Sequence, residues 1–131
     1  MQSLTYHTTI SSVAVFGGVP MDPQERAPKA GVDVVVATPG RLMDHMRHQS
    51  TGFQQIEVLV LDEADRMLDM GFIRDIRKIL ALIPNDRQSL LFSATMPHSI
   101  VELSRDMLHD PISVSITPEA TTVEAIEQSM M

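Results

Sequence analysis

The chain has 131 residues, the length of a single domain, and 44% of them are hydrophobic, which is enough for a globular core. Cysteine is absent, which excludes disulfides and thiolate metal sites, and no apolar run approaches the ~18 residues of a membrane helix, so we predict a cytoplasmic protein without membrane contact. Ten Lys and Arg stand against 17 Asp and Glu, and the net charge of -7 argues against a strongly basic nucleic-acid-binding surface.

Apolar runs alternate with helix-like stretches, which predicts an α/β fold with a parallel sheet and helices on both faces. In the first half we predict strands at Ser12–Phe16 and Asp33–Ala37, a helix at Pro23–Lys29, and a second helix with Thr38 as N-cap and Pro39 as first residue. Leu42, Met43 and Met46 should face inward from that helix.

The second half continues the alternation. We predict strands at Glu57–Leu61, Gln88–Phe92 and Ile112–Ile116, and helices at Glu63–Leu68, Ile73–Ile83 and Pro97–Met107. The first domain would cover residues 1–117, and residues 118–131 would form a linker and the start of another domain.

Two adjacent carboxylates, Asp62 and Glu63, follow the apolar run Val58–Leu61. Open α/β sheets bind ligands at the carboxyl ends of their strands, and a carboxylate in that position suits Mg²⁺ in phosphoryl transfer. Asp62 is the candidate metal contact, and Glu63 could orient or deprotonate a water. The alternative is that these acids and Asp65 only cap the next helix.

Three further short motifs accompany the acids. Thr38-Pro39-Gly40-Arg41 would expose amide donors at a helix N-terminus, or would simply be a good strand-to-helix connection. Gly17-Gly18, after Phe16, could be a tight turn or a close backbone approach to a ligand.

The third motif is Ser93-Ala94-Thr95, at the end of the strand predicted at Gln88–Phe92. Its two hydroxyls could bridge to Asp65 or could cap the helix near Pro97.

Together, in this order, the motifs resemble those of the DEAD-box family of ATP-dependent RNA helicases, and the sequence is similar to the bacterial RhlE-like type. The resemblance implies a RecA-like first lobe of the P-loop NTPase type, with ATP and Mg²⁺ as cofactors. It implies that Asp62 and Glu63 bind the nucleotide and hold Mg²⁺ through water. The implied catalytic residues are these two acids together with Asp65, Ser93 and Thr95, which would couple the site to parts of the protein across the cleft. RNA contacts, to the backbone rather than to bases, would come from Gly17, Gly18, Thr38, Pro39, Gly40 and Arg41.

The sequence departs from the family pattern by what it lacks. It has no phosphate loop of the form G-x-x-x-x-G-K-[ST], no adenine-reading glutamine motif and no Pro-Thr-Arg-Glu-Leu motif. The lobe is therefore predicted to be truncated at its N-terminal side, and to be inactive without the missing segment and the second lobe with its arginine finger. The alternative function is a non-catalytic RNA- or protein-binding module derived from a helicase lobe.

In RecA-like sheets the strand that precedes Ser-Ala-Thr lies between the acidic-motif strand and the phosphate-loop strand. The resemblance therefore implies that Leu90, Leu91 and Phe92 have one unpaired edge, and that copies of the chain associate through Gln88–Ser93 unless another segment covers it.

His45 and His48, three residues apart on one predicted helix, could suggest zinc, but no further ligands lie nearby. We predict that the histidines are surface residues.

Overall fold

The computed structural model describes residues 7–18, 31–48 and 50–116. The helix predicted at Pro23–Lys29 and the segment 118–131 lie outside the described residues. Four strands, four α-helices and one 3₁₀ helix are present in the described part of the chain. In chain order they are β1 Ser12–Val15, β2 Val34–Ala37, α1 Pro39–His48, a 3₁₀ helix Ser50–Phe53, β3 Val58–Leu61, α2 Ala64–Asp69, α3 Ile73–Leu82, β4 Gln88–Leu91 and α4 His98–Met107.

The strands form two parallel pairs. β1 pairs with β2 so that Val15 lies opposite Ala37, and β3 pairs with β4 so that Leu61 lies opposite Leu91. The α/β class with parallel strands is therefore confirmed. The single continuous sheet is not present in the described residues, because no strand bridges β1–β2 to β3–β4 there.

The described helices cover one face of the β3–β4 pair. Leu59, Leu61 and Leu91 pack on that side against residues of α2, α3 and α4. Side chains alternate along a strand, so those of Val58 and Val60 lie on the opposite face, where both are more than half exposed. Within the described residues, which do not include the helix predicted at Pro23–Lys29, the helices therefore cover one face of this pair.

Two clusters of buried side chains form the core. The larger consists of Leu61, Ala64, Ile76, Ile100, Leu103 and Met107. The smaller joins α1 to α3 and consists of Met43, Met46, Phe53, Ile79 and Ile83. Flexible methionines thus fill space in both clusters, in a chain with only 4% aromatic residues.

His45 corrects the prediction of surface histidines, since its side chain is 1% exposed. It lies three residues after Leu42 and beside Met46, so it shares the inward face of α1. The other four histidines, His7, His48, His98 and His109, are exposed as predicted.

The strand predicted at Ile112–Ile116 is wrong in this structure. Residues 111–116 adopt no regular secondary structure, and Ile112, Val114 and Ile116 are 93%, 84% and 90% exposed. The residue types favour a strand, but a strand needs a neighbour for its backbone N–H and C=O groups, and no described residue pairs with this segment.

None of the helices in the described part of the chain has the length and apolarity that crossing a membrane requires.

Candidate functional site

The acidic segment begins where β3 ends. Leu61 is buried, and the exposed residues Asp62 and Glu63 follow it at the carboxyl edge of the strand pair. The Asp62 carboxylate accepts a hydrogen bond from the Glu63 backbone N–H at 2.8 Å. Its second oxygen and the Glu63 carboxylate lie at the surface, where a ligand has access.

Glu63 has a left-handed backbone conformation, with φ 52° and ψ 47°. Residues other than glycine avoid this region because the Cβ atom approaches the carbonyl oxygen, at a cost of about 1–2 kcal/mol. Two backbone hydrogen bonds hold this turn. The Ala64 N–H donates to the Phe92 carbonyl at 3.1 Å, and the Met67 N–H donates to the Glu63 carbonyl at 3.1 Å. Strain of this kind is concentrated at functional sites.

Ala64 is completely buried between the exposed acids. It packs in the larger core cluster with Leu61 and Ile100. A small residue is needed here because the helix α2 begins directly over the core. In the segment Asp62-Glu63-Ala64-Asp65, the uncharged Ala64 thus fixes the three acids to the body of the domain.

Asp65 joins the acidic segment to the residues that follow β4. One carboxylate oxygen accepts hydrogen bonds from the Thr95 hydroxyl at 2.9 Å and from the Thr95 backbone N–H at 3.1 Å. The Asp65 N–H donates to the Ser93 hydroxyl at 3.1 Å, and that hydroxyl donates to the Thr95 carbonyl at 2.7 Å. The structure therefore brings together Asp65, Ser93 and Thr95, and the two hydroxyls do not cap α4, whose N-cap is Pro97.

These contacts lower the pKa of the Asp65 carboxyl from its usual value. The main cause is the hydrogen bond from the Thr95 hydroxyl, which stabilises the ionised form, while partial burial opposes the shift. A lowered pKa in the folded state contributes stability at pH values above the unfolded pKa. That contribution is lost as the pH falls through the folded pKa.

We expect the substitution Thr95→Val, which keeps the side-chain shape, to raise the pKa of Asp65 toward the ordinary value of about 3.9. The Asp65 carboxyl carbon can be titrated by NMR in the parent chain and in the variant. The exposed residue Thr38 offers the matched control, Thr38→Val, which should leave the Asp65 titration unchanged. The parent should be more stable than Thr95→Val at neutral pH, and the difference should vanish in acid; equal titration curves would contradict the assignment.

The other predicted motifs meet at the carboxyl edge of β1–β2. Gly17 and Gly18 follow β1 in an exposed turn, where Gly18 has φ 88°, a conformation that favours glycine. Thr38 follows β2, and its backbone N–H donates to the Val15 carbonyl at 3.0 Å. The parallel register thus brings the glycine pair beside the start of α1.

The helix α1 begins at Pro39, as the sequence predicts, and the Leu42 N–H donates to the Thr38 carbonyl at 3.0 Å. Pro39 is buried, whereas Thr38 is exposed and Arg41 is half-exposed. A Cβ atom on Gly40 would lie 3.6 Å from the Phe72 ring, an ordinary contact distance. Phe72 precedes α3, so this contact connects the start of α1 to the element that follows the acidic segment.

Two residues of the site are absent from the sequence-based predictions. Arg66 on α2 lies 3.6 Å from the carboxylate of Glu63, the N-cap residue of that helix, in an exposed ion pair. The spacing of three residues between Glu63 and Arg66 could have indicated this ion pair from the sequence. Phe72, the neighbour of Gly40, gave no signal in the sequence.

Within the described residues, no group of three or more His, Asp or Glu side chains could hold a metal ion by itself. Mg²⁺ commonly binds through one or two carboxylates while retaining waters and substrate phosphates. The exposed carboxylates of Asp62 and Glu63 are compatible with that kind of binding.

A family model described as DEAD/DEAH box helicase matches residues 1–103. The chain belongs to the DEAD/DEAH box helicase family. The sequence is 51% identical over 107 residues to the ATP-dependent RNA helicase DBP2 of Eremothecium gossypii, covering 82% of the chain and 19% of that protein. It is 42% identical over 128 residues to the ATP-dependent RNA helicase CshA of Listeria monocytogenes, covering 98% of the chain and 25% of that protein.

Solved structures agree with this assignment. The DEAD-box chain resembles the crystal structure of a DEAD box protein from Methanococcus jannaschii, with TM-score 0.75 and 39% identity over 79% of this chain and 28% of that one. A hypothetical ATP-dependent RNA helicase from Sulfolobus tokodaii gives TM-score 0.76 and 35% identity over 83% of this chain and 33% of that one. The RecA-like fold class is confirmed. The chain spans about a fifth to a quarter of the two curated relatives, and the RhlE-like subtype stays a prediction.

Proposed function

We propose that the chain supplies the metal-binding, water-activating and RNA-contacting half of the first lobe of an ATP-dependent RNA helicase. The observation that carries the proposal is the hydrogen-bonded connection between the acidic segment and Thr95 through Asp65. It links the strand end that holds the carboxylates to the next strand, so that a change at either one reaches the other.

In this proposal Asp62 holds Mg²⁺ through water, and Glu63 contributes to the same site. When bound, Mg²⁺ neutralises charge on the ATP phosphates. Glu63 orients the attacking water and accepts its proton, a role that the exposed carboxylate and the strained backbone at Glu63 support. Asp65, Ser93 and Thr95 couple this site to parts of the protein across the cleft.

RNA would be bound along the carboxyl edge of β1–β2. Gly17 and Gly18 allow a close backbone approach, while the start of α1 offers amide donors and a partial positive charge to phosphates. Arg41 adds a charged group in the first turn of α1. The net charge of -7 means that the attraction is local, so we expect the isolated chain to bind RNA weakly.

The deciding experiment uses a chimera in which this chain replaces the matching 128 residues of the Listeria relative. The family resemblance implies that the rest of that relative would supply the phosphate loop and the second lobe. RNA-stimulated ATP hydrolysis by the chimera supports the proposal. A folded chimera that binds RNA but does not hydrolyse ATP favours the alternative, a non-catalytic binding module.

The 131-residue chain itself should show no ATPase activity above background, with or without RNA, because its sequence has no loop that could cradle the phosphates. A phosphate-release assay at saturating ATP and Mg²⁺ provides the measurement. Activity above background that disappears in the variant Glu63→Gln would contradict this expectation.

Arg41→Ala should weaken binding of single-stranded RNA by the chimera and reduce the slope of log K against log salt by about 0.7, the value for one lost phosphate contact. Fluorescence anisotropy at several salt concentrations measures both quantities. Arg47, which lies on the last turn of the same helix, gives the matched control Arg47→Ala. Equal slopes in the two variants would remove Arg41 from the RNA site.

A further inference from the structure

Phe72 lies in the turn that joins α2 to α3. Its backbone N–H donates to the Met67 carbonyl in α2 at 2.9 Å, and its carbonyl accepts a hydrogen bond from the Ile76 N–H in α3 at 2.9 Å. It is also the N-cap residue of α3. The position of Phe72 is therefore tied to both helices, and the first of them begins at the acidic segment.

The turn before Phe72 fixes this residue to α2. Gly71 has φ 80°, and its N–H donates to the Leu68 carbonyl at 3.0 Å. With the hydrogen bond from Phe72 to Met67, this is the Schellman pattern, in which a left-handed glycine ends a helix and the next residue packs back on its last turn. Phe72 and Met67 both pack on the larger core cluster. The helix that carries Asp65 therefore sets the position of the Phe72 side chain.

The ring of Phe72 reaches from this turn to the start of α1. Its Cε1 atom lies 3.6 Å from the position that a Cβ atom on Gly40 would take, so the ring edge is one methyl group away from the helix backbone. Gly40 is the second residue of α1. Met43 and Met46 join later turns of α1 to α3 through the smaller core cluster. Phe72 thus lies against the end of α1 at which we place the RNA phosphates.

The acids lie a short distance along α2 from Phe72. Asp65 is two residues from Met67, which is less than one helical turn, and Ala64 is completely buried in the larger cluster. Close-packed interiors have low compressibility and transmit displacements. A shift of Phe72 should therefore move Asp65, whose carboxylate accepts two hydrogen bonds from Thr95.

We propose that Phe72 is a positioning residue through which RNA at the start of α1 changes the position of the acids on α2. The residue is held by α2 on one side and its ring lies against α1 on the other, so a displacement of either helix reaches the other. The proposal rests on the proposed function, because it takes RNA binding at the start of α1 as given. It adds the residue by which hydrolysis responds to RNA.

The experiment uses the full 131-residue chain and a short single-stranded oligouridine, without ATP. Backbone amide signals are followed by NMR up to about 1 mM RNA, because weak binding is expected. In the parent chain, RNA should shift the signals of Gly40 and Arg41 at the start of α1. It should also shift those of Ala64 and Asp65 on α2, which make no proposed contact with RNA.

The variant Phe72→Leu keeps an apolar side chain on the core but removes the ring edge that faces Gly40. At equal RNA occupancy, the shifts of Ala64 and Asp65 should fall at least about twofold, a typical loss for a residue that carries coupling between sites. The shift of Arg41 should remain. Phe72→Tyr keeps the ring and should restore the parent shifts.

Phe53 provides the matched control. It is 5% exposed and belongs to the smaller core cluster, so Phe53→Leu also removes a ring from the interior. We expect this variant to leave the RNA-induced shifts on α2 unchanged. If Phe72→Leu does not fold, Phe72→Met takes its place, because methionine fills core space with a flexible chain that does not fix the position of its neighbours.

Three results would overturn this proposal while leaving the RNA site intact. The first is a parent chain in which RNA shifts Gly40 and Arg41 but not Ala64 and Asp65. The second is a set of α2 shifts that is undiminished in Phe72→Leu. The third is an equal loss in Phe53→Leu, or a loss that Phe72→Tyr does not restore, since either would make Phe72 a core residue only. Absence of RNA-induced shifts at Gly40 and Arg41 would instead overturn the proposed RNA site, and this proposal with it.

Discussion

Glu63→Gln should lower the RNA-stimulated kcat of the chimera with the Listeria relative by about 10²–10⁴, the usual contribution of a positioned general base. The amide has nearly the same shape but cannot accept the proton of the attacking water. ATP binding should be little changed, so the loss should appear in kcat rather than in KM. Steady-state phosphate release at varied ATP, with saturating RNA, measures the two parameters.

The acids around Glu63 provide contrasts for this experiment. Asp62→Ala should also strongly lower kcat, and it should in addition raise the Mg²⁺ concentration needed for ATP binding, because Asp62 is the proposed metal contact. Asp69 is an exposed acid at the end of α2 and gives the matched control Asp69→Asn, for which we expect unchanged activity. A chimera that hydrolyses ATP and is indifferent to both Asp62→Ala and Glu63→Gln would show that the site lies elsewhere.

Arg66 refines the interpretation of the Glu63 variant. Its ion pair with Glu63 is exposed on both sides, so it is worth little stability. Removal of the pair in Glu63→Gln should therefore not unfold α2, and the loss of rate can be assigned to chemistry. Arg66→Ala tests this separately, since its melting temperature should remain within a few degrees of the parent value.

The sequence predicted the elements well where local signals agree with the packing. The helix α1 begins at Pro39 as predicted, and the strand predicted at Gln88–Phe92 is one residue longer than β4. Hydrophobic spacing also predicted the inward face of α1, since Met43 and Met46 are buried and Leu42 packs against the same cluster. In these cases the apolar pattern, the turn residues and the final contacts all favour the same structure.

The predictions failed where structure depends on residues distant in sequence. Ile112–Ile116 has the composition of a strand but no neighbour to pair with among the described residues. His45 is buried because its helix face packs inward, which a rule based on residue type does not anticipate.

The candidate site was predictable in its members but not in its connections. The order of motifs indicated Asp65, Ser93 and Thr95, and a bridge between them was proposed from the sequence. The atoms that donate and accept could not be predicted, because they depend on how two segments 30 residues apart meet in the fold. Thr95 donates to Asp65 through both its hydroxyl and its backbone N–H. The left-handed conformation of Glu63 was likewise invisible, since glutamate is not a residue that signals it.

The core beneath the acidic segment should be the most sensitive part of the domain to truncation. Leu103 on α4 is fully buried and packs in the same cluster as Leu61 and Ala64, which flank the exposed acids. We expect Leu103→Ala to lower the free energy of unfolding by about 2–5 kcal/mol, because it removes buried methyl groups and leaves a cavity. That loss is large against the 5–15 kcal/mol that stabilises a typical domain.

Urea denaturation of the chain, followed by circular dichroism, measures this loss. Leu82 makes the matched control, since it is 42% exposed at the end of α3 and Leu82→Ala removes the same atoms. We expect Leu82→Ala to cost less than Leu103→Ala, because 42% of the Leu82 surface stays in contact with water in the folded state, whereas Leu103 is completely buried. Because Ala64 rests on the same cluster, Leu103→Ala should also weaken the Asp65–Thr95 connection and raise the pKa of Asp65 toward its ordinary value. Equal destabilisation by the two leucine variants, with an unchanged Asp65 titration, would show that this cluster does not support the acidic segment.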